Sequence, residues 1–391
     1  MVARDSDEPY RVSSPLELLF DLTFVVAVAQ VAAQLAHSIA AGKVLTDGIG
    51  PYLMVFFAIW WAWMNFTWFA SAYDTDDVPY RLMTIVQMGG VLVLAAGVPA
   101  AFAGQDFTAI TLGYLIMRVG LVGQWLRAGV EHPDGRRTAF RYAIGISVVQ
   151  VGWIVRLALP HELAVPGFLV LAIADVAVPL WAERSGGTTW HPHHIAERYG
   201  LFTIILLGET VSAVTIAVQR VITSRGVSGD LVVVAIGGLI LLFAFWWLYF
   251  LQPAGESLER RRDRSYVWGY GHYLLFAVIA AAGSAVEVAV EYFGQEHIEV
   301  SALEVAYSLA IPVVLFFVML TLLDVLLATR PTIHPAAVVV TAVAVLLVPL
   351  ATSLVGLHVV VAVIALLAAG LTTFTIFSGV RRGQRERAPS T

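Results

Sequence analysis

The sequence contains no cysteine, and only 13% of its 391 residues are charged. Disulfides, thiolate chemistry and cysteine metal sites are therefore excluded. The net charge of -5 is spread over loops and tails, and no dense basic tract indicates nucleic-acid binding. The chain also lacks a glycine-rich phosphate loop, a nucleophile elbow and the row of arginines of a voltage sensor. We predict no cofactor, no metal site and no nucleic-acid partner.

Hydrophobic residues make up 59% of the chain. An ordinary soluble domain has about 45–50% apolar and about 25% charged residues, so lipid must be the solvent for much of this protein. The apolar runs are about 18–25 residues long and do not alternate with polar residues. They therefore predict helices that cross a hydrocarbon core of about 30 Å, rather than the strands of a barrel. The expected fold is an all-α polytopic membrane protein, with the lipid bilayer as its partner.

Twelve apolar segments follow one another along the chain, separated by helix breakers such as those in 74–79 and 253–264. The first segment is expected to be retained as a spanning helix, because the residues before it are too acidic for the start of a signal peptide. The predicted spans are roughly 17–37, 52–71, 82–103, 108–128, 139–159, 164–182, 198–219, 229–251, 267–289, 302–327, 334–351 and 355–379.

The positive charges predict how the chain is oriented. Of the 23 Lys and Arg residues, 18 lie on the N-terminal side or in even-numbered loops and 4 lie on the opposite side, while Arg118 lies inside a segment. Cytoplasmic loops carry the excess of Lys and Arg. Both termini are therefore expected in the cytoplasm.

A weak internal repeat divides the chain into two parallel halves of six helices. Glu17-Leu-Leu-Phe opens the first segment and Glu197-Arg-Tyr-Gly-Leu-Phe opens the seventh, while Trp60-Trp61 in the second matches Trp246-Trp247 in the eighth. Coincidence in an apolar chain is the alternative. The predicted organisation is an N-terminal segment (1–16), a first half (17–182), a connecting loop (183–197), a second half (198–379) and a C-terminal tail (380–391).

Two carboxylates stand at the start of the first segment. Glu17 and Asp21 are four residues apart and share a helical face. Ser14, Pro15 and Glu17 form a capping-box pattern, so Glu17 is either a helix cap or a functional group. Asp21 lies one turn deeper, where either a structural ion pair or a functional carboxylate would explain it.

Further polar residues lie inside the apolar segments, where a charge costs at least about 2.5–3.5 kcal/mol. Arg118 requires a carboxylate partner or an anionic ligand. Glu209 is the best candidate for a proton relay or cation site. Asp175 and His272 are second candidates, and His272 is expected to hydrogen-bond to a neighbouring helix. His194 lies in a histidine-rich stretch that is interrupted by a proline, which favours a loop or helix entry over a metal site.

Two long motifs resemble those of a known family. Residues 14–25, SPLELLFDLTFV, resemble the opening motif of the bacterial low-temperature requirement A (LtrA) family, and residues 194–211, HIAERYGLFTIILLGETV, look like its second motif. Arg118 and Arg127 are similar to a further arginine pair of that family. The resemblance implies a multi-pass protein of the bacterial cytoplasmic membrane but neither a reaction nor a substrate. It points to Glu17, Asp21, Arg118, Glu197, Arg198 and Glu209.

Three functions are compatible with these features. The favoured one is a secondary transporter of an unknown small-molecule or lipid substrate, coupled to protons through intramembrane carboxylates. The second is a membrane-embedded enzyme that uses Asp21 and Glu209 as an acid–base pair on a hydrophobic substrate. The third is a scaffold or sensor in which the charges are structural pairs. The sequence leaves the oligomeric state open.

Overall fold

The computed structural model describes residues 1–5, 12–73, 75–294, 298–328 and 331–387, without the side chains of 161, 185 and 380–387. Parts of the predicted N-terminal segment and tail, together with Arg11 and Arg330 of the charge count, lie outside the described residues. The helices are α1 (Pro15–Ala40), α2 (Ile49–Ala72), α3 (Val78–Gly104), α4 (Thr108–Glu131), α5 (Arg136–Arg156), α6 (Ala164–Ala182), α7 (Pro192–Arg225), α8 (Gly229–Phe250), α9 (Ala254–Arg260), α10 (Ser265–Glu291), α11 (Ala302–Leu327), α12 (Pro335–Leu347), α13 (Thr352–Val355) and α14 (Leu357–Arg387).

The described residues contain twelve helical segments that are long and apolar enough to cross a membrane. This confirms the predicted all-α polytopic fold and its number of spans. The seventh helix is longer than expected and begins at Pro192, so the histidine-rich stretch enters the helix. The eleventh span changes to a 3-10 turn at Val348–Ala351, where Pro349 cannot continue the α-helical hydrogen bonding.

Several helix starts are fixed by side-chain caps that are visible in the sequence. In α1 the Ser14 N–H donates to Glu17 Oε2 at 2.6 Å, while the Glu17 N–H donates to Ser14 Oγ at 3.3 Å. Ser301 and Glu304 form the same reciprocal capping box at the start of α11. At the start of α3 the Asp77 side chain accepts from the Tyr80 N–H at 3.0 Å. These caps satisfy backbone donors that a helix start leaves unpaired.

The chain divides into two compact units. Unit 1 comprises Met1–Val31 and Gly50–Tyr199, and unit 2 comprises Ala32–Ile49 and Gly200–Thr391. The parallel six-helix repeat stays a prediction. The tryptophans used to infer it differ in surroundings, since Trp60 and Trp61 are buried whereas Trp246 and Trp247 are about half exposed.

Unit 1 has an aromatic core that surrounds the first turns of α1. The rings of Phe20 and Phe66 have centroids 4.0 Å apart, and Trp125 stacks on Tyr142 at 4.1 Å. Helices α3 and α4 approach so closely that a Cβ on Gly90 would lie 2.6 Å from the carbonyl oxygen of Gly113. The glycines therefore permit backbone contact between these helices.

Unit 2 is packed in the same manner from α7, α8, α10, α11 and α14. Phe245 stacks on Phe316 with centroids 3.9 Å apart, and Phe202 packs on Phe276 at 5.1 Å. In both units large apolar side chains such as Ile173 and Val340 remain exposed. Apolar side chains on both sides of a helix are expected where the outer surface meets lipid.

Candidate functional site

A buried network of charges lies in unit 1, at the start of α1 and of α7. Asp21 of α1 and Arg198 of α7 form a two-pronged ion pair, with Arg198 Nε donating to Oδ2 at 2.9 Å and Nη2 donating to Oδ1 at 2.5 Å. Trp63 of α2 donates from its ring nitrogen to Asp21 Oδ1 at 2.7 Å. Because both Asp21 oxygens accept charge-assisted or buried hydrogen bonds, the carboxylate is held in one orientation.

Glu17 joins the same network through the oxygen that its capping role leaves available. Its Oε1 lies 3.2 Å from Arg198 Nη1 and 3.2 Å from His194 Nε2. These are ion-pair separations. The side chains of all four members are at most 3% exposed. Glu17 is therefore both a helix cap and a member of the buried network. Its role as a cap does not prevent its other oxygen from contacting Arg198 and His194.

Glu197 occupies the edge of this network rather than its centre. Its Oε1 accepts from the Ser13 backbone N–H at 3.3 Å, just before α1 begins. Its other oxygen, Oε2, is buried and has no hydrogen-bond partner in the described part of the chain. Glu197 thus binds the backbone just before α1 begins. The adjacent Arg198 is the cation that contacts both Glu17 and Asp21.

The geometry favours a structural role for Asp21. A general acid or base needs a carboxyl oxygen that can exchange a proton with a substrate, and both Asp21 oxygens are occupied by Arg198 and Trp63. Asp21 also belongs to unit 1, whereas Glu209 belongs to unit 2. The proposed acid–base pair therefore gains no support from the surroundings of Asp21.

A second ion pair lies deeper in unit 1 and accounts for Arg118. Arg118 Nη2 lies 3.2 Å from Asp175 Oδ1, joining α4 to α6. Tyr114 donates to Asp175 Oδ2 at 3.1 Å and accepts from Arg118, while Trp153 of α5 donates to the same Asp175 oxygen at 2.8 Å. Arg118 and Asp175, both chosen from the sequence, are thus partners, and Arg118 has its carboxylate without any ligand.

Arg127, the second arginine of the family-like pair, acts near the end of α4. Its two terminal nitrogens donate to the Asp77 carboxylate at 2.7 and 2.5 Å, and its Nε donates to Glu131 at 2.8 Å. The Arg127 guanidinium lowers the pKa of Asp77 to about 2, because it stabilises the charged carboxylate. Arg127 therefore ties the cap of α3 to α4.

Glu209 differs from all of these groups, since it has no ion pair or hydrogen bond within the described residues. It lies in α7 within unit 2 and is about half buried. Beside it, Thr210 packs against Gly283 of α10. Glu287 lies one turn further along α10 than Gly283, and Glu291, the partner of Arg220, lies one turn beyond it. Glu287, too, has no hydrogen bond or close ion pair in the described part of the protein.

His272 makes the helix-to-helix hydrogen bond expected from the sequence. Its Nε2 lies 3.2 Å from the Tyr249 hydroxyl of α8, and its Nδ1 lies 2.8 Å from the Trp268 carbonyl oxygen. His194 contacts Glu17 instead of a group of metal ligands. Among the described residues no cluster of three His, Asp or Glu side chains is arranged to hold a metal ion.

Three residues that were not candidates from the sequence have notable surroundings in the structure. Trp63 looked like one of many apolar aromatics, and only its contact with Asp21 reveals its role. Glu287 lies near the end of a predicted segment, where a charge is ordinarily solvated, and only the contact between Gly283 and Thr210 places it near Glu209. Arg156 lies near the end of the predicted span 139–159, where a charge can reach the polar interface, and only its 6% exposure in the structure distinguishes it.

Comparisons with known proteins agree with the motifs. The family model described as bacterial low temperature requirement A protein (LtrA) matches residues 12–370. An uncharacterized protein of Rhizobium meliloti (strain 1021) is 27% identical over 287 residues, which cover 69% of this chain and 67% of the relative. Neither description names a substrate or a reaction.

Proposed function

Because the chain belongs to the bacterial low temperature requirement A (LtrA) family, whose description names no reaction, we propose from the architecture that it is a proton-coupled secondary transporter. Twelve membrane-crossing segments are typical of such carriers, although architecture alone does not define function. The observation that carries the proposal is the occurrence of two intramembrane carboxylates, Glu209 and Glu287, close to the contact between Thr210 and Gly283, with no hydrogen bond or close ion pair in the described residues.

A proton is the ligand that would remove a charge from these two carboxylates. A charged carboxylate in an apolar helix bundle is unfavourable. A bound proton removes the charge of the group that takes it up. Its release restores that charge, so the helices α7 and α10 that carry Glu209 and Glu287 would respond to protonation. In this proposal, binding and release of the substrate are coupled to binding and release of that proton.

The charges of unit 1 have a different task under this proposal. Asp21 and Glu17 share Arg198 as their cation, and Asp175 is paired with Arg118. A proton on one of these carboxylates would remove its attraction to an arginine. These pairs therefore stabilise the fold of unit 1, while Glu209 and Glu287 exchange the proton.

We test proton coupling in proteoliposomes that contain a pH-sensitive dye. Acetate, neutral amino acids, sodium and potassium are added in turn as probes, and internal pH is recorded. Glu209→Gln and Glu287→Gln should each abolish any solute-dependent proton flux by removing the exchangeable proton. Glu256→Gln is the control, since Glu256 is 63% exposed and makes only a local ion contact. Unchanged flux in both test variants would exclude these residues as coupling groups.

Infrared spectroscopy tests the same residues without a substrate. The reconstituted protein should show the carbonyl band of a protonated carboxylic acid that disappears as the buffer is made alkaline. Glu209→Gln or Glu287→Gln should remove or displace this band, whereas Glu256→Gln should leave it in place. A band that is unaffected by either test variant would contradict the proposal that this pair holds the proton.

A scaffold or sensor is the second candidate, and the paired charges of unit 1 favour it. If this alternative is correct, Glu209→Gln and Glu287→Gln will change thermal stability, and no probe will produce proton flux in the unmodified protein. The flux measurement therefore separates the two functions.

A further inference from the structure

A small cavity in unit 1 lies beside the end of α5. Its lining includes Phe57 and Ala58 of α2, Phe107, Tyr114 of α4, Arg156 of α5 and Phe168 of α6. About 20 Å³ of it is open to the centre of a water-sized sphere. This volume counts only the places where the centre of the sphere can lie, so the free space around it exceeds the roughly 10–15 Å³ that one water-sized sphere occupies. The cavity therefore admits a group of a few non-hydrogen atoms.

Arg156 is the charged member of the lining. It is 6% exposed, and its guanidinium carbon lies 4.9 Å from the ring centre of Phe107, 5.4 Å from that of Phe168 and 5.9 Å from that of Trp153. Its Nε donates to the Ala164 carbonyl oxygen at 3.0 Å. The side chain is therefore fixed in place by three aromatic rings and one hydrogen bond.

The charge of Arg156 is not neutralised in the described part of the chain. Neither of its terminal nitrogens has a hydrogen-bond acceptor there, and no carboxylate lies within ion-pair distance. By contrast, Arg118 and Arg198 each have an aspartate partner. Aromatic rings compensate only part of the cost of removing a guanidinium from water. A buried cation that faces an open space is thus suited to an anionic ligand.

The shape and polarity of the space indicate which anion it would take. A guanidinium presents a planar fork that matches a carboxylate, and the remaining walls are largely apolar. We propose that this cavity binds a small monocarboxylate of about the size of acetate, with the carboxylate on the terminal nitrogens of Arg156 and the methyl group among the aromatic rings.

The Tyr114 wall connects this site to the buried ion pair of unit 1. The Tyr114 hydroxyl contacts both Arg118 and Asp175, and its ring also lines the cavity. A bound monocarboxylate would therefore rest against a side chain that is fixed by the ion pair. The site lies entirely in unit 1, so it can exist whether or not Glu209 and Glu287 of unit 2 couple transport to protons.

Equilibrium dialysis of the full-length protein in detergent with radiolabelled acetate tests the site. Arg156→Gln should weaken acetate binding roughly tenfold or more, because the amide lacks the charge. Arg156→Lys should restore part of the affinity. Ala58→Leu keeps Arg156 but fills the cavity, so it should also weaken binding. Arg81→Gln is the control, since Arg81 is 56% exposed and pairs with Asp76 at the surface.

Each outcome decides the proposal. Saturable acetate binding that is lost in Arg156→Gln and Ala58→Leu but kept in Arg81→Gln supports it. Absence of binding in the unmodified protein overturns it, as does full binding in Ala58→Leu, which decides the matter even if Arg156→Gln does not fold. Chloride competing as well as acetate would overturn the monocarboxylate assignment, and hexanoate competing as well would overturn the size limit.

Discussion

At the scale of single residues, the buried charges of this protein fall into paired and unpaired groups. Asp21 and Asp175 each have an arginine partner and further hydrogen bonds from aromatic side chains. For Glu209 and Arg156, the described residues provide no group of opposite charge. A buried pair contributes little net stability, whereas breaking it leaves an uncompensated charge. The paired residues therefore belong to the fold, and the unpaired ones are where a proton or a ligand would bind.

Substitutions in the Asp21 network should reveal that Arg198 serves two carboxylates. Asp21→Asn should lower the free energy of unfolding by about 3 kcal/mol, and Arg198→Gln should lower it by more, up to about 5 kcal/mol, because both Asp21 and Glu17 lose their partner. The double variant should recover part of the loss, since only Glu17 then lacks a cation. Unfolding in detergent provides the measurement.

Asp76→Asn is the control for this series, because Asp76 is 58% exposed and its surface pair contributes at most about 1 kcal/mol. Strict additivity of the two single substitutions would show that Asp21 and Arg198 do not interact.

At the scale of secondary-structure elements, the contact between α3 and α4 depends on glycine. A Cβ on Gly90 would lie 2.6 Å from the Gly113 carbonyl oxygen and 2.9 Å from the Met117 backbone nitrogen. Backbone atoms cannot move aside as a side chain can. In lipid, where apolar contact between helices has little hydrophobic driving force, such close packing is a main source of helix association.

Neighbouring glycines of α3 provide a matched comparison. Gly90→Ala should destabilise the protein by about 1–3 kcal/mol, because the two helices must separate to admit the methyl group. Gly89→Ala should be neutral or stabilise by up to about 1 kcal/mol, since a Cβ at Gly89 meets no atom within 4 Å and alanine favours the helix. Thermal unfolding of both variants tests this prediction. Equal effects of the two substitutions would contradict the dependence of the α3–α4 contact on glycine.

At the scale of the whole molecule, the orientation in the membrane follows from charge and from the number of spans. Twelve spans place the two termini on the same side, and the excess of Lys and Arg predicts that side to be the cytoplasm. The loop that contains Lys43 should then face outward, and the turn that contains Arg184 should face inward.

The absence of cysteine makes this orientation directly testable. Lys43→Cys should react with a membrane-impermeant maleimide in intact spheroplasts, while Arg184→Cys should react only after permeabilisation. Both positions are exposed in the structure, so access to the side chain is not limiting. Labelling of Arg184→Cys alone in intact spheroplasts would reverse the predicted orientation, and labelling of both would contradict the number of spans between them.

The twelve helices and most of their limits follow from the amino-acid sequence alone. A membrane-spanning helix satisfies its own backbone hydrogen bonds, so its existence depends only on the length and polarity of one segment. Helix caps such as Ser14 with Glu17 are likewise local. The same reasoning selected Arg118, Asp175 and Glu209, because a charge in an apolar segment is conspicuous without any knowledge of its neighbours.

Which of these charges are satisfied depends on how the helices pack against one another. Asp21 and Arg198 are separated by 177 residues and Arg118 and Asp175 by 57, so their pairing depends on which helices pack together. Apolar helices are nearly alike in sequence, and their packing is set by shape and close contact rather than by hydropathy. For that reason the sequence marked Glu209 as a charge that needed explanation, but it could not show that the described residues leave it unpaired, nor that three aromatic rings surround Arg156.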